Sequence, residues 1–454
     1  MPAVLLCLLL LAPSQGRAEE GELPPLPKGP LILTSVTPDQ FDPDYWIRRI
    51  PGAENPIKTP QELKEFNEEI DLMVAERQNI FALDPSRSGS GIRSAIEQAF
   101  KTLKNRILYD RNNATVPDAV FDDKIKPVLG TDKIPATVKL QWGAAIRAAS
   151  VRALPSDILM MEKPNDPEFD MLQFTQIKPW TPVGILHTST DKAWYYVQAP
   201  YARGWVRSRD IALFPSRGEL KKFAQPSDFL VVTAESIPLY SDPELSAVVL
   251  RASMGTVLPL SRFDGKTGAH AVWIPVRKST GGAGIEKAYV APGSDVTRGF
   301  MPFSQANIIR QAFKLLGARY GWGGTYNGRD CSGFTHDVFL SLGVDMPRDS
   351  KYQSIIGTQI SAFEPYHSTE EKTQALRACA PGMTLIKMPS HMMLYLGEVN
   401  GQFYVIHSTW AERYSKDSDA KNRINQVVVS DLTLNGKSYL GSLFDRITAI
   451  NEVN

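Results

Sequence analysis

Apolar side chains recur at three- and four-residue spacing in the first third of the chain, give way to short alternating runs, and return to helical spacing after residue 300. In "TPQELKEFNEEIDLMVAERQ", Thr59 stands at the cap position, Pro60 at the first helical position and a glutamate in the first turn, which predicts a helix. "SGIRSAIEQAFKTLKNRILYDRN" places Ile92, Ile96, Phe100, Leu103 and Ile107 along one helical face. Residues 19–145 therefore read as a helical segment with extended, proline-rich arms. Nothing in it suggests chemistry.

Between about 146 and 298 the rhythm is β-like. "TPVGILHTSTDKAWYYVQAPYARGWVRSRDIALF" alternates apolar and polar residues with turn-rich breaks. "FLVVTAESIPLYSDPELSAVVLRASMGTVLPLSRF" begins the same pattern again further along. Each run carries its own aromatic and aliphatic core candidates, so two small barrels, 146–224 and 225–298, fit better than one large sheet, with "FAQPSD" at 223–228 as the seam. From 299 to 454 the order is helix, glycine-rich loop, helix, then strand-like runs, which is the rhythm of an α+β domain. Ser304 stands as the cap of the first of these helices, with Ile308, Ala312, Leu315 and Leu316 on its buried side, and the second closes at Gly343.

Composition narrows the classes. The chain has 454 residues, 43% apolar and 22% charged, with 50 basic against 49 acidic side chains. That length calls for several domains, and that balance leaves no electrostatic footprint for nucleic acid or anionic lipid. An apolar run from Ala3 to Ala12, with Gly16 and Ala18 before a cleavage point, reads as an export signal over 1–18, although no lysine or arginine precedes the run. The run is too short for a spanning helix, Cys7 lacks the small residues of a lipidation site, and no other stretch looks transmembrane, so stable membrane insertion is not expected. Periplasmic export is the expectation.

Cys331 and Cys379 are the cysteines left after such a cleavage. One disulfide is an available reading; a free, reactive Cys331 is another. Cys331 lies at a predicted helix start, where unpaired N–H groups and the macrodipole lower a thiol pKa. His391 and His407 follow on strand-like runs, and a cysteine facing a histidine backed by a second polar group is the layout for thiolate attack on an amide. The competing reading is a buried apolar cysteine with structural histidines. A metal is not expected, because these residues are far apart and no close pair of ligands accompanies them. His336 is structural or exposed on this reading, His187, His270 and His367 are solvated, and Cys379 is a buried bystander.

"YGWGGTYNGRDCSGF", "MPRDSKYQ" and "HMMLYLG" together resemble the signature blocks of the NlpC/P60 family of papain-like cysteine peptidases that cut bacterial cell-wall peptides. The stretch from "RALPSDILMMEKPNDPEF" to "YARGWV" resembles the first SH3-like domain attached to a subset of them. The resemblance implies an α+β, papain-like catalytic domain over 299–454, preceded by two SH3-like barrels and an N-terminal stabilising segment. It implies Cys331 as nucleophile, His391 as general base and His407 as the third polar residue, with no cofactor. The implied substrate is a murein peptide with a free N-terminal L-alanine, cut between γ-D-glutamate and the diamino acid. Tyr320, Asp330, Ser332 and Ser350 would hold the alanine ammonium. Tyr201 would close that pocket, with Tyr195 and Tyr196 as rivals. The chemistry is coherent, since an ammonium needs an acid and oxygen acceptors, while Asp330 and Ser350 also suit helix caps and Tyr320 and Trp322 suit a core. A glutamate belonging to that pocket in relatives has no counterpart near "KPWTPVG". The rivals are an enzyme of polymeric peptidoglycan and an inactive wall-peptide binder.

Overall fold

The computed structural model describes residues 29–454 apart from 264, 365 and 366, so the expected export signal lies outside the described residues. The architecture is α+β, as the pattern predicts. A six-stranded antiparallel sheet forms one wall of the C-terminal unit, in the spatial order Thr358–Ala362, Ala449–Glu452, Thr384–Met388, His391–Val399, Gln402–Arg413, Lys421–Asp431. Against it packs the helix Cys331–Leu340, whose residues from Cys331 to Phe339 are all buried. Such a helix has no solvent face, because the sheet covers one side and the barrels the other. Its polar residues Thr335, His336 and Asp337 must therefore find partners inside the protein.

Each barrel is a seven-stranded antiparallel sheet. The first takes in the strand Gln141–Ala145, which pairs with Pro182–Thr188 and Ile211–Phe214, so its sheet begins ahead of the residue-146 seam. The second runs from Phe229–Val232 to Val296–Arg298, which pair with each other. The helix Arg217–Ala224, capped by Ser216, lies between them in sequence. Trp180 Nε1 donates to the Trp273 carbonyl at 2.8 Å and ties barrel to barrel.

The N-terminal segment divides its apolar residues between two cores. Val36, Trp46, Phe66 and Ile70 are buried in the core that also holds Phe334 and Leu394 of the C-terminal unit. Ile80, Ile96, Phe100, Phe121 and Leu140 are buried instead with Trp142, Trp194 and Trp205 of the first barrel. The Pro60–Met73 helix has the predicted capping box between Thr59 and Glu62. The next long helix stops at Lys104, short of its predicted end, and Ile107 is exposed. The segment is a strap across two bodies.

Candidate active site

Cys331 is the first residue of its helix, and Asp330 is the cap, its Oδ1 accepting from the Gly333 N–H at 2.7 Å. The backbone N–H groups of Met392 and Ser332 donate to the Cys331 sulfur, which places it beside the strand that His391 opens. His391 Nε2 lies 2.6 Å from His407 Nδ1, and His407 Nε2 lies 3.0 Å from Ser430 Oγ. The strand register explains this chain. Leu394 pairs with Ile406 and His407 with Val428, so His407 is diagonal to His391 on one side and to Ser430 on the other. With its Nε2 committed to His407, His391 has Nδ1 left to meet a thiol proton. Ser430 was invisible as a participant, because only register brings it to His407.

The electrostatics differ from the helix-start expectation. Burial, and then the neighbouring Asp330 charge, push the Cys331 thiol up to about 12 rather than down. Burial, and then the Lys387 and Arg446 charges, push His391 down to about 3, and burial also holds His407 well below its ordinary value. Thiol and imidazole are thus both held neutral. The neutral imidazole is the form able to accept a proton.

The sulfur opens on a cleft of about 930 Å³. Gln173, Phe174, Thr175, Tyr201 and Arg203 of the first barrel line it, as do Val74–Arg77 of the strap and Arg348–Tyr352 and Lys387 of the C-terminal unit. Among the described residues, none of the second barrel lines it. Asp330, Ser332, Ser350 and Tyr201 are among the lining residues, so four of the five expected substrate contacts share the cleft with Cys331. The fifth, Tyr320, is buried with its ring 6.2 Å from Phe169 and does not line it. Tyr195 and Tyr196 are buried within the first barrel's cores.

Asp330 stands in a different position from the one expected of an ammonium partner. Arg348 grips its carboxylate with two donors, Nη1 to Oδ1 at 3.0 Å and Nη2 to Oδ2 at 2.6 Å. Arg348 also donates to Ser332 Oγ at 3.0 Å and to Thr175 Oγ1 of the first barrel at 2.8 Å. Burial alone would raise the Asp330 carboxyl, but Arg348 outweighs it and holds the group below its ordinary value. A carboxylate already neutralised in both oxygens has little left for a second cation. The cleft's acids that are not ion-paired among the described residues are Glu76, which accepts from the Tyr352 hydroxyl, and Asp349, which caps the Ser350–Gln353 helix. Both were missed. Glu76 lies on the strap, where the sequence suggested no chemistry, and Asp349 sat inside the quoted "MPRDS" with only its serine read.

His336 is buried against Asp337 and 4.8 Å from the Tyr201 ring. His187, His270 and His367 are half-buried rather than solvated; His187, for one, pairs with the Leu129 carbonyl at 2.8 Å. Cys331 and Cys379 are both buried and free. Among the described residues no helix is long and apolar enough to cross a membrane.

Residues 317–431 match the NlpC/P60 family, and residues 160–207 match the SH3 domain of the SH3b1 type. A γ-D-glutamyl-L-lysine dipeptidyl-peptidase of Bacillus cereus is 29% identical over 220 residues, 46% of this chain and 57% of the relative. The chain thus spans little more than half the length of that protein. A peptidoglycan endopeptidase, RipB, of Mycobacterium tuberculosis is 30% identical over 196 residues, covering 37% of this chain and 76% of the relative. Among solved structures, an NlpC/P60 endopeptidase from Photobacterium damselae subsp. piscicida superposes with a TM-score of 0.75 at 19% identity, over 94% of this chain and 99% of that one. That likeness is one of fold.

Proposed function

The chain belongs to the NlpC/P60 family, and we propose that it is an exported cysteine endopeptidase that cuts cell-wall peptides between γ-D-glutamate and the diamino acid when their N-terminal L-alanine is free. The observation that carries this reading is the hydrogen-bonded run His391–His407–Ser430 on the sheet against which the Cys331 helix packs, with Cys331 lining a cleft walled by the strap and the first barrel. In this mechanism Cys331 Sγ attacks the amide carbonyl while its proton passes to His391 Nδ1. The Cys331 backbone N–H helps hold the oxyanion. His407, fixed by Ser430, orients the ring and supports its transient positive charge. His391 then hands the proton to the leaving amine, and water, deprotonated by the same ring, hydrolyses the thioester.

Recognition of a free N-terminus follows from the walls. Glu76 and Asp349 supply the acidic edge for an ammonium, Ser350 an oxygen acceptor, and Tyr201 the apolar side. Val74–Arg77 and the first barrel's edge bound the cleft where a glycan-linked peptide would have to continue. The test compares L-Ala-γ-D-Glu-diamino acid, its N-acetylated form and intact murein under one preparation, with products read by mass spectrometry. Cleavage of the free tripeptide with about a thousandfold loss on acetylation is expected, because the acid edge would be left facing a bulky neutral group. Comparable rates for both tripeptides would overturn the amine pocket, release of peptide from murein would favour a polymer enzyme, and no cleavage at all would favour a binding protein.

A further inference from the structure

Next to the cleft, and sharing Thr175, Tyr201 and Arg348 with it, both barrels meet the C-terminal unit around a second cavity of about 270 Å³. Lys178 comes from the first barrel, Arg251 from the second, and Arg319, Arg329 and Arg348 from the C-terminal unit. The acids lining it are Glu235 and Asp337. Asp337 is spent on Lys178 and Arg329, each at 2.8 Å, Glu235 faces Arg329 at 3.9 Å, and Arg348 is held by Asp330. With Asp330 counted, the wall carries five cations and three carboxylates. The excess falls on Arg251 and Arg319, neither ion-paired among the described residues.

Arg319 is the more telling of the two. Its guanidinium stacks on Tyr326 at 4.8 Å, yet its buried Nε and Nη2 have no hydrogen-bond acceptor among the described residues. The acid nearest it electrostatically, Glu168, is already engaged by Arg423 and by the Trp410 indole N–H. Buried guanidinium N–H groups left without an acceptor are costly and uncommon in native structures. The loop over the cavity adds a second sign. Tyr326 and Asn327 are consecutive non-glycine residues with φ of 58° and 55°, a left-handed pair of the kind that folds maintain at ligand sites. Arg251, exposed and hydrogen-bonded to Ser236 Oγ at 3.1 Å, reaches the same space from the second barrel.

We propose that this junction is a binding site for a small oxyanion, a carboxylate or phosphate, gripped by Arg319 and Arg251 and separate from the Cys331 cleft. Two planar forks approaching from different bodies suit a bidentate, planar or tetrahedral anion. The cavity's size restricts the ligand to such an ion on a short body rather than a peptide. Because Arg348 borders both cavities, an anion here would sit one side chain away from the Asp330–Ser332 pair beside Cys331. The site stands whether or not the cleft cuts γ-D-glutamyl bonds.

Isothermal titration of the full chain with inorganic phosphate and, separately, with D-glutamate, each against chloride at equal ionic strength, tests it and sorts phosphate from carboxylate. Saturable binding of at least one anion is expected. Arg319→Met should weaken it about tenfold or more, since a charged hydrogen-bond donor is lost. Arg251→Met, at an exposed position that keeps folding intact, should weaken it in the same direction. Lys387→Met, in the cleft, should leave it unchanged. No binding beyond chloride, binding untouched by both arginine variants, or binding lost with Lys387→Met would each overturn the proposal.

Discussion

The two barrels share an architecture and nearly the same sequence rhythm, yet they stand in different relations to the cleft. The first lines it with Gln173–Thr175, Tyr201 and Arg203, while the second contributes none of its walls. Both reach the same buried carboxylate, Asp337, by unequal means. The first sends Lys178, whose Nζ pairs with Asp337 Oδ1 at 2.8 Å. The second sends no cation to it: Ser253 Oγ accepts from that same Nζ at 3.0 Å, and Glu235 meets Arg329 through its carbonyl at 3.0 Å and its exposed carboxylate at 3.9 Å. A repeated fold has thus become a wall in one copy and a brace in the other. What separates them is one buried charge and one edge strand.

The floor for any comparison of barrel variants is the protein without its proposed nucleophile, Cys331. Cys331→Ala should remove about ten-thousandfold or more of the turnover while shifting the thermal midpoint little, because the thiol makes few packing contacts beyond those of a methyl group. Activity within tenfold of wild type in a peptide-release assay would contradict the assigned role of Cys331 and leave the cleft without its chemistry.

Lys178→Met tests the wall barrel. It leaves Asp337 buried with Arg329 and the His336 ring, and breaking one partner of a buried pair costs about 3–5 kcal/mol. The pH dependence has a definite sign. Burial alone would raise the Asp337 carboxyl, but Lys178 and Arg329 hold it below its ordinary value. Its stabilising contribution is therefore complete above the unfolded value of about 4 and drains away as pH falls through that value toward the folded one. Urea unfolding should show the full deficit of the variant at pH 7 and a smaller gap to wild type near pH 3. A gap that is constant with pH would mean that the pair is not what joins the first barrel to the helix.

How much of this was legible beforehand depends on how far along the chain each feature reaches. The α+β class, the two barrels' β texture and the trio Cys331, His391 and His407 rest on contiguous blocks, and such blocks can be read one at a time. The strap could not be read this way: the Pro60–Met73 and Gly89–Lys104 helices are alike in pattern, and only long-range packing sends one to each core. The same holds for Asp330. Its sequence context fits a cap and an ammonium ligand equally, and its partner Arg348 is one that the fold returns to it across 18 positions. Lys178, in "IKPWTP", looks like a solvated loop charge until the buried helix demands a counterion.

The smallest effect is the sharpest test of the contrast between barrels. Ser253→Ala removes the second barrel's contact with Lys178 Nζ but leaves Asp337 and its ion pairs in place. A hydrogen bond to a charged donor contributes about 1.5–3 kcal/mol when its loss strands a fully buried group. Lys178 retains Asp337 as a partner, so a loss of about 1 kcal/mol or less is expected, with no change in KM, since Ser253 does not line the cleft. Measured beside Lys178→Met, this sets loss of the first barrel's ammonium group against loss of the second barrel's acceptor for it, a large effect against a small one. If Ser253→Ala were as damaging as Lys178→Met, or raised KM for the tripeptide, the second barrel would be shaping the cleft through the Cys331–Leu340 helix, and the division into wall and brace would fail.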